Sequence, residues 1–269
     1  MLKKRVMFTL LYDRGSFMLS RNFTLQKVGN LRWLQKNYNF SQVAFSIDEL
    51  VILDVSRGER DFENYCETVK ALTEGCFAPI TAGGGVRDVE QARKLLQSGA
   101  DKVILNSAIA GCPTVIQKIA EDFGRQCIVA SVDVKMIDGV PVILTENGTK
   151  QQDISLTEWL EKVVSLPVGE LYLNSVDRDG TGQGYDLDLL ECLPKEMKIP
   201  LILAGGAGKA HHLSEGLEDK RVDAVTTAHL FNFVGDGLIK AREYLLAKKM
   251  DLAVWDREQA LAMKNIFIQ

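Results

Sequence analysis

Eight short apolar runs recur along the chain, separated by segments of helical periodicity or by loops. They lie at 5–11, 50–55, 79–82, 103–107, 127–133, 171–175, 201–204 and 224–227. Because these runs lack the polar alternation of half-exposed strands, they are typical of parallel strands that helices cover on the outside. The pattern predicts an α/β fold, a TIM (β/α)8 barrel.

The segments between these runs predict the remaining elements. Helical periodicity or helix-start signals fall at 31–40, 60–74, 88–98, 113–123, 159–166 and 236–247. Residues 13–29 carry turn chemistry at their start and predict a long loop, of the kind that is usually functional inside a compact domain. Residues 140–152 surround Asn147-Gly148 and predict a hairpin that leaves the barrel.

The two halves of the chain repeat one motif. A first apolar run ends in Gly83-Gly84-Gly85, and a second ends in Gly205-Gly206, with Gly205 lying 122 positions after Gly83. Asp101 and Asp223, before the next strands, show the same offset. Glycines between a strand and a helix let backbone amides approach an anion at the positive helix end. The repeat therefore predicts two homologous half-barrels, each with a phosphate cradle.

Composition narrows the class of protein. The chain of 269 residues is 46% hydrophobic and fits one barrel domain over residues 1–250, with residues 251–269 as an extension packed on it. A net charge of −4 disfavours nucleic acid as a partner. No apolar run approaches the length of a membrane helix, and residues 3–13 lack a leader's cleavage site. We expect a cytoplasmic protein.

The cysteines and histidines predict neither disulfides nor a metal site. Five cysteines without CxxC spacing fit a reducing compartment. His211, His212 and His229 have no spacing typical of metal ligands. We therefore expect no metal and no cofactor.

Acidic residues end several of the predicted strands. They are Asp54, Asp133, Asp177 and Asp179. In such barrels the reactive groups project from these ends, although a single acid there also serves commonly as a loop cap. Asp133 is the best candidate for proton transfer because six uncharged residues precede it. The half-repeat places its partner at Leu11, which carries no acid; Asp13 is either a substitute or a solvated loop residue.

Charged residues also begin four of the strands, alternating in sign. They are Arg5, Glu49, Lys102 and Glu170. Such charges are usually solvated. Taken together, they also fit a salt-bridged ring across the barrel floor.

The residues in this order resemble the cyclase subunit of imidazole glycerol phosphate synthase (HisF), a duplicated half-barrel. The resemblance spans roughly residues 3–248 and rests on the stretches GGGVRDVEQARKLLQSGADKV, ILNSA, FGRQCIVASVDVK, NSVDRDGTGQGYDLDLL and LAGGAG. It implies that Asp133 is the second catalytic aspartate and that the four floor residues gate ammonia from a glutaminase partner. It implies phosphate-binding roles for Gly84, Gly85, Asn106, Ser107, Asp179, Gly180, Gly205, Gly206 and Thr227. Asp101 and Gln126 match partner-facing or gate-adjacent positions.

Three departures from the family pattern shape the functional hypotheses. The family has its first catalytic aspartate at the position of Leu11, its flexible-loop lysine at the position of Leu19, and a phosphate-site serine near the position of His229. Our leading hypothesis is a subunit that passes ammonia from a HisH-like glutaminase to a phosphorylated or nucleotide-linked sugar, for acetamidino groups of surface polysaccharides. The alternatives are the cyclase subunit of histidine biosynthesis and a non-catalytic scaffold that activates the glutaminase.

Overall fold

The computed structural model of the chain describes residues 3–38, 45–229 and 234–254. Twelve strands are present in these ranges: β1 (Arg5–Asp13), β2 (Ser16–Arg21), β3 (Thr24–Gly29), β4 (Glu49–Asp54), β5 (Ile80–Gly83), β6 (Lys102–Leu105), β7 (Ile128–Ile137), β8 (Val140–Thr145), β9 (Lys150–Gln151), β10 (Glu170–Ser175), β11 (Leu201–Ala204) and β12 (Ala224–Thr227). The α-helices are α1 (Leu31–Asn37), α2 (Phe62–Gly75), α3 (Val89–Gln97), α4 (Ser107–Gly111), α5 (Pro113–Phe123), α6 (Leu156–Ser165), α7 (Ala210–Glu218) and α8 (Gly237–Ala247).

Eight of the strands close into a parallel barrel. Their order is β10-β11-β12-β1-β4-β5-β6-β7, and the pairing of β10 with β7 closes the ring. Both faces of these strands are buried, one inside the barrel and the other beneath the helices. The predicted TIM barrel is confirmed, and its strand ends define a floor and a mouth.

The segment predicted as a long loop over residues 13–29 is instead a β-hairpin, so that prediction is wrong. Strand β1 continues to Asp13, turns at Arg14 and Gly15, and pairs antiparallel with β2, which in turn pairs with β3. Both turn residues have positive φ (42° and 80°), as a two-residue hairpin turn requires. The hairpin extends the barrel wall over the mouth.

The predicted hairpin at residues 140–152 is present, and capping residues set the starts of two helices. Strands β7, β8 and β9 form the predicted antiparallel excursion. Helix α6 begins at Leu156, three residues before the periodic pattern, because Ser155 and Glu158 form a capping box. Asp88 caps α3 by accepting a hydrogen bond from the Gln91 amide at 2.8 Å.

The carboxyl-terminal residues that are described lie against the barrel floor. Leu252 is buried and bridges to Lys4 beside β1. Arg242 of α8 forms a buried ion pair with Asp48 at 2.9 Å and donates to the Ala253 carbonyl oxygen at 2.6 Å. The remaining tail, including Trp255, Leu261, Ile266 and Phe267, lies outside the described residues. Within the described part, no helix has the length and apolarity needed to cross a membrane.

Candidate active site

A cavity of about 350 Å³ opens at the barrel mouth, where the strands end. Asp133, both glycine turns and residues of the β2–β3 hairpin line it. Its volume lies in the range that binds small molecules, and it joins the two halves of the chain in one site. The cavity brings together Asn106, Ser107, Asp179, Gly180 and Thr227 with Gly84, Gly85, Gly205 and Gly206.

Asp133 is the central acid of this cavity. Its two carboxylate oxygens accept hydrogen bonds from the side-chain amides of Asn174 at 2.8 Å and Asn106 at 3.0 Å. Enclosure by protein atoms raises the pKa of Asp133 to about 6, partly opposed by the Asn174 hydrogen bond and assisted by the charge of Asp179. A carboxyl group with this pKa exchanges protons readily near neutral pH.

The position expected to carry the second acid is apolar. Leu11 lies in the cavity wall, 8% exposed, and pairs in register with Leu53. Asp13 does not lie among the residues that line the cavity, because β1 turns directly after it. Its carboxylate accepts a hydrogen bond from Arg14 at 2.9 Å. Although partial burial acts to raise the pKa of Asp13, Arg14 and Ser56 outweigh it and the net pKa is lowered. The structure therefore does not place Asp13 beside Asp133.

The two glycine turns have equivalent backbones, in which Gly84 corresponds to Gly205 because β5 begins at Ile80 and β11 at Leu201. The sequence repeat matches Gly205 with Gly83, one residue earlier. Gly84 and Gly205 both adopt positive φ, 105° and 89°. A Cβ atom at Gly84 would lie 2.1 Å from the Asp54 carbonyl oxygen, and one at Gly205 would lie 2.5 Å from the Ser175 carbonyl oxygen. Only glycine fits this close approach of two backbones. Both turns line the cavity, where the lack of a side chain lets the glycine backbone approach an anion.

Asp179, predicted as a phosphate-site residue, also anchors the hairpin over the mouth. Its carboxylate accepts hydrogen bonds from the Ser20 hydroxyl and from the Phe23 amide at 3.1 Å. Burial raises its pKa, opposed by the same two hydrogen bonds. Gly180 lies directly against the Ser20 carbonyl oxygen, so that a Cβ there would clash with it. Sequence reasoning missed this anchoring role because it took the hairpin for a loop.

The four charged residues at the strand starts form a closed ring across the barrel floor. Arg5 contacts Glu49 at 3.2 Å and Glu170 at 2.8 Å, and Lys102 contacts the same two carboxylates at 2.7 and 3.1 Å. The Glu49 carboxylate also accepts a hydrogen bond from Thr81. The side chain of Glu49 is 3% exposed and that of Glu170 is 11% exposed. The ring thus lies inside the barrel end.

An apolar layer separates this ring from the mouth. It is formed by Met7, Val51, Ile104, Val129, Ile202, Ala204 and Ala224. Tyr172, from β10, is the one member of this cluster with a hydroxyl group, which lies 3.3 Å from Thr9 of β1. Thr9 in turn contacts Thr226 at 2.7 Å. Because β11 and β12 lie between β10 and β1 in the sheet, the Tyr172 side chain spans the barrel interior.

The predicted partner-facing residues lie near the floor and make bonds within the chain. Asp101 accepts a hydrogen bond from the Ile80 amide at 2.8 Å, and Gln126 donates to the Phe123 carbonyl oxygen at 3.1 Å. Phe77, three residues before β5 on the same side, is 56% exposed. Sequence reasoning missed Phe77, although an aromatic residue between Cys76 and Ala78 outside any strand was a readable signal.

The histidines and cysteines show no sign of a metal centre. Among the described residues, no three His, Cys, Asp or Glu side chains are placed to hold a metal ion. The five cysteines are free thiols. His229 lies at the cavity, and burial lowers its pKa.

Comparison with known proteins places this geometry in a family. A family profile described as histidine biosynthesis protein matches residues 34–235. A protein of Parasynechococcus marenigrum named "Putative imidazole glycerol phosphate synthase subunit hisF2" is 48% identical over 256 residues, covering 95% of each chain. Proteins named imidazole glycerol phosphate synthase subunit HisF are 38% identical in Chlorobaculum tepidum and 37% in Chlorobaculum parvum, covering 91% and 92% of this chain and 96% and 98% of theirs. The chain therefore belongs to the histidine biosynthesis protein family, as a HisF-like barrel.

Proposed function

We propose that this protein is the synthase subunit of a two-component glutamine amidotransferase, which takes ammonia from a HisH-like glutaminase and adds it to a phosphorylated small molecule. The observation that carries the proposal is the arrangement of the barrel. The charged ring lies at the floor, and Asp133 lies between two glycine turns at the mouth. The floor is then the entry for ammonia, and the mouth is the reaction site.

The interior between these two ends suits a neutral nitrogen species. An ammonium ion in an apolar layer loses its hydration without gaining a counter-charge, whereas ammonia is uncharged and small. The layer around Val51 and Ile202 therefore favours ammonia over ammonium. The hydroxyl groups of Tyr172, Thr9 and Thr226 lie beyond it on the way to Asp133 and offer hydrogen-bond partners.

Asp133 supplies the proton chemistry at the mouth. With a pKa of about 6, its carboxylate is mostly ionised at pH 7.5 and acts as a general base toward the attacking nitrogen. The two asparagine amides hold both of its oxygens, so the carboxylate is oriented before the acceptor binds. A phosphorylated acceptor that bridges Gly84 and Gly205 passes over Asp133.

Two acceptors are consistent with this site. The names of the relatives favour the acceptor of imidazole glycerol phosphate synthase, and thus the cyclase reaction of histidine biosynthesis. Leu11 favours a second candidate, amidination of a nucleotide-linked sugar, because the mouth then needs only one acid. The five free thiols support a reducing compartment and hence a cytoplasmic location for either reaction.

Turnover of the formimino-ribulosyl carboxamide nucleotide with added ammonium separates the two acceptors. Formation of imidazole glycerol phosphate that disappears in Asp133→Asn establishes the cyclase reaction. If no imidazole forms, Leu11→Asp is the next variant, since restoring the second acid supplies the group whose loss typically lowers a rate by about 10²–10⁴. Failure of both proteins to turn over, with glutaminase stimulation intact, excludes the cyclase and leaves sugar amidination or a scaffold. Turnover of a nucleotide-linked amino sugar then decides between those two.

A further inference from the structure

An arginine side chain lies directly against the first glycine turn. A Cβ atom at Gly85 would lie 2.5 Å from Nη1 and 2.6 Å from Nε of Arg60. Both residues line the cavity at the mouth. The guanidinium group therefore occupies the space beside the backbone that the resemblance assigns to phosphate binding.

The second glycine turn has different neighbours at the equivalent place. There, a Cβ at Gly206 would lie 2.1 Å from the Gly184 carbonyl oxygen and 3.0 Å from Cβ of Arg178, a residue that is not among those lining the cavity. The Gly184 amide donates to the Gly206 carbonyl oxygen at 2.9 Å. The two half-barrels thus share the backbone of the turn but differ in the group that faces it. The guanidinium group of Arg60 lies against the first turn, whereas a backbone carbonyl oxygen lies nearest to the second.

Arg60 is held in place by the neighbouring loops. It donates to the Asp54 carbonyl oxygen at 3.0 Å and to Oδ1 of Asn147, in the turn between β8 and β9, at 3.3 Å. Oδ2 of Asp54 lies 3.6 Å from Nη1, is buried, and has no hydrogen-bond partner among the described residues. The carboxylate charge therefore acts on the guanidinium group, while the hydrogen bonds to Asp54 and Asn147 use two of its five N–H donors.

We propose that Arg60 is a phosphate ligand at the first glycine turn, with Asp54 as its positioning residue, and that this turn takes the phosphomonoester end of the acceptor. The proposal rests on the phosphorylated acceptor of the proposed function. A guanidinium group donates two parallel hydrogen bonds to a phosphate and favours a dianion over the single charge of a diester. At the second turn a carbonyl oxygen, that of Gly184, lies in that place, so no guanidinium group there makes this distinction. Arg60 thus fixes which end of an asymmetric acceptor binds in which half.

The test measures binding of methyl phosphate, a monoester dianion, to the isolated chain by calorimetry. Glycine-selective ¹⁵N labelling reports which turn is occupied, through the amide signals of Gly85 and Gly206. We expect Arg60→Gln to weaken binding at the first turn at least tenfold, as expected for loss of a charge-assisted hydrogen bond, and to leave the second turn unchanged. Arg60→Lys keeps the charge but not the paired donors, so its affinity at the first turn should lie between those of the wild type and Arg60→Gln.

Matched variants separate ligand binding from a structural role. Arg93→Gln removes an equal charge from a side chain outside the cavity, which pairs with Asp122 and is 38% exposed, and should change affinity less than threefold. If Arg60→Gln unfolds, Asp54→Asn keeps the arginine but removes the charge that orients it, and should also weaken binding. Methyl phosphate binding to Arg60→Gln or Asp54→Asn as tightly as to the wild type overturns the inference alone. Absence of binding to the wild type overturns both the inference and the phosphorylated acceptor.

Discussion

Removing the charge of Asp133 should stabilise the fold while it abolishes activity. The pKa of this carboxyl group is about 6 in the folded protein, against 3.8 for an unperturbed aspartate. The difference of about 2.2 units, at 1.36 kcal/mol per unit, means that ionised Asp133 lowers the free energy of unfolding by roughly 3 kcal/mol above pH 7. An asparagine avoids this cost, but one neighbouring amide must reorient to accept its new N–H donor. We therefore expect Asp133→Asn to gain about 1–3 kcal/mol at pH 7.5.

The sign of the effect gives it a defined pH dependence. A carboxyl group whose pKa is raised in the folded state lowers the free energy of unfolding as the pH rises. The loss begins near pH 4, where the group ionises in the unfolded chain, and is complete above pH 6, where it ionises in the folded protein as well. The advantage of Asp133→Asn should therefore shrink below about 1 kcal/mol at pH 4. Urea unfolding followed by circular dichroism at pH 4, 5.5 and 7.5 measures this trend.

Asp13→Asn is the matched control. Its carboxylate has a lowered pKa because it pairs with Arg14, so its removal should cost stability at pH 7.5 rather than add it. If Asp133→Asn is less stable than the wild type at pH 7.5, or if its effect does not vary with pH, the carboxylate is not enclosed as described. The assignment of Asp133 as a proton-transfer group with a pKa near 6 would then fail.

Three further predictions concern the turns, the floor ring and the floor surface. Gly84→Ala forces a Cβ to within 2.1 Å of a backbone carbonyl oxygen and should abolish phosphate binding. Gly15→Ala, with positive φ but open space around it, should cost only about 1 kcal/mol in unfolding titrations. Equal losses of stability in the two variants would contradict the close approach at Gly84. Glu49→Ala removes the more buried of the two carboxylates that Arg5 and Lys102 share, so that Glu170 alone faces both cations, and should cost about 3–5 kcal/mol. Glu63→Ala removes a 72% exposed partner of Lys94 and should cost less than about 1 kcal/mol; similar values would show that the ring is solvated. Phe77→Asp should weaken binding of a HisH-type glutaminase more than tenfold in calorimetry, and unchanged affinity would place the partner elsewhere.

The barrel and the floor ring were predictable from the sequence because their signals are local and periodic. The starts of the strands form the barrel floor and their ends form the mouth. The position of Glu49 at the start of its apolar run, and of Asp133 at the end of its own, therefore already predicts at which end of the barrel each lies. The β2–β3 hairpin was not predicted because Phe17, Met18 and Leu19 show no alternation of apolar and polar residues. The proposed substitution of Asp13 for the missing acid depended on β1 continuing past Leu11, and β1 does reach Asp13. The sequence did not predict that the Asp13 carboxylate pairs with Arg14 and lies outside the residues that line the cavity.

The contact of Arg60 with Gly85 was beyond the sequence for a different reason. The two residues belong to different loops, each following its own strand, and only closure of β4 against β5 brings them together. Spacing within one segment carries no information about such a contact. The same holds for Tyr172, whose position in the apolar run from 171 to 175 predicts burial but not its reach across the barrel to Thr9.

Isotope tracing tests most directly whether nitrogen enters through the floor and reacts at the mouth. The protein in complex with its glutaminase is given glutamine labelled with ¹⁵N in the side-chain amide, together with excess unlabelled ammonium and the acceptor that supports turnover. Mass spectrometry of the product then reads the source of its new nitrogen. Transfer through the barrel predicts product that carries mainly ¹⁵N despite the excess of ¹⁴N in solution. Product with the isotope ratio of the bulk ammonium would show that ammonia is released before it reacts, and would contradict the account.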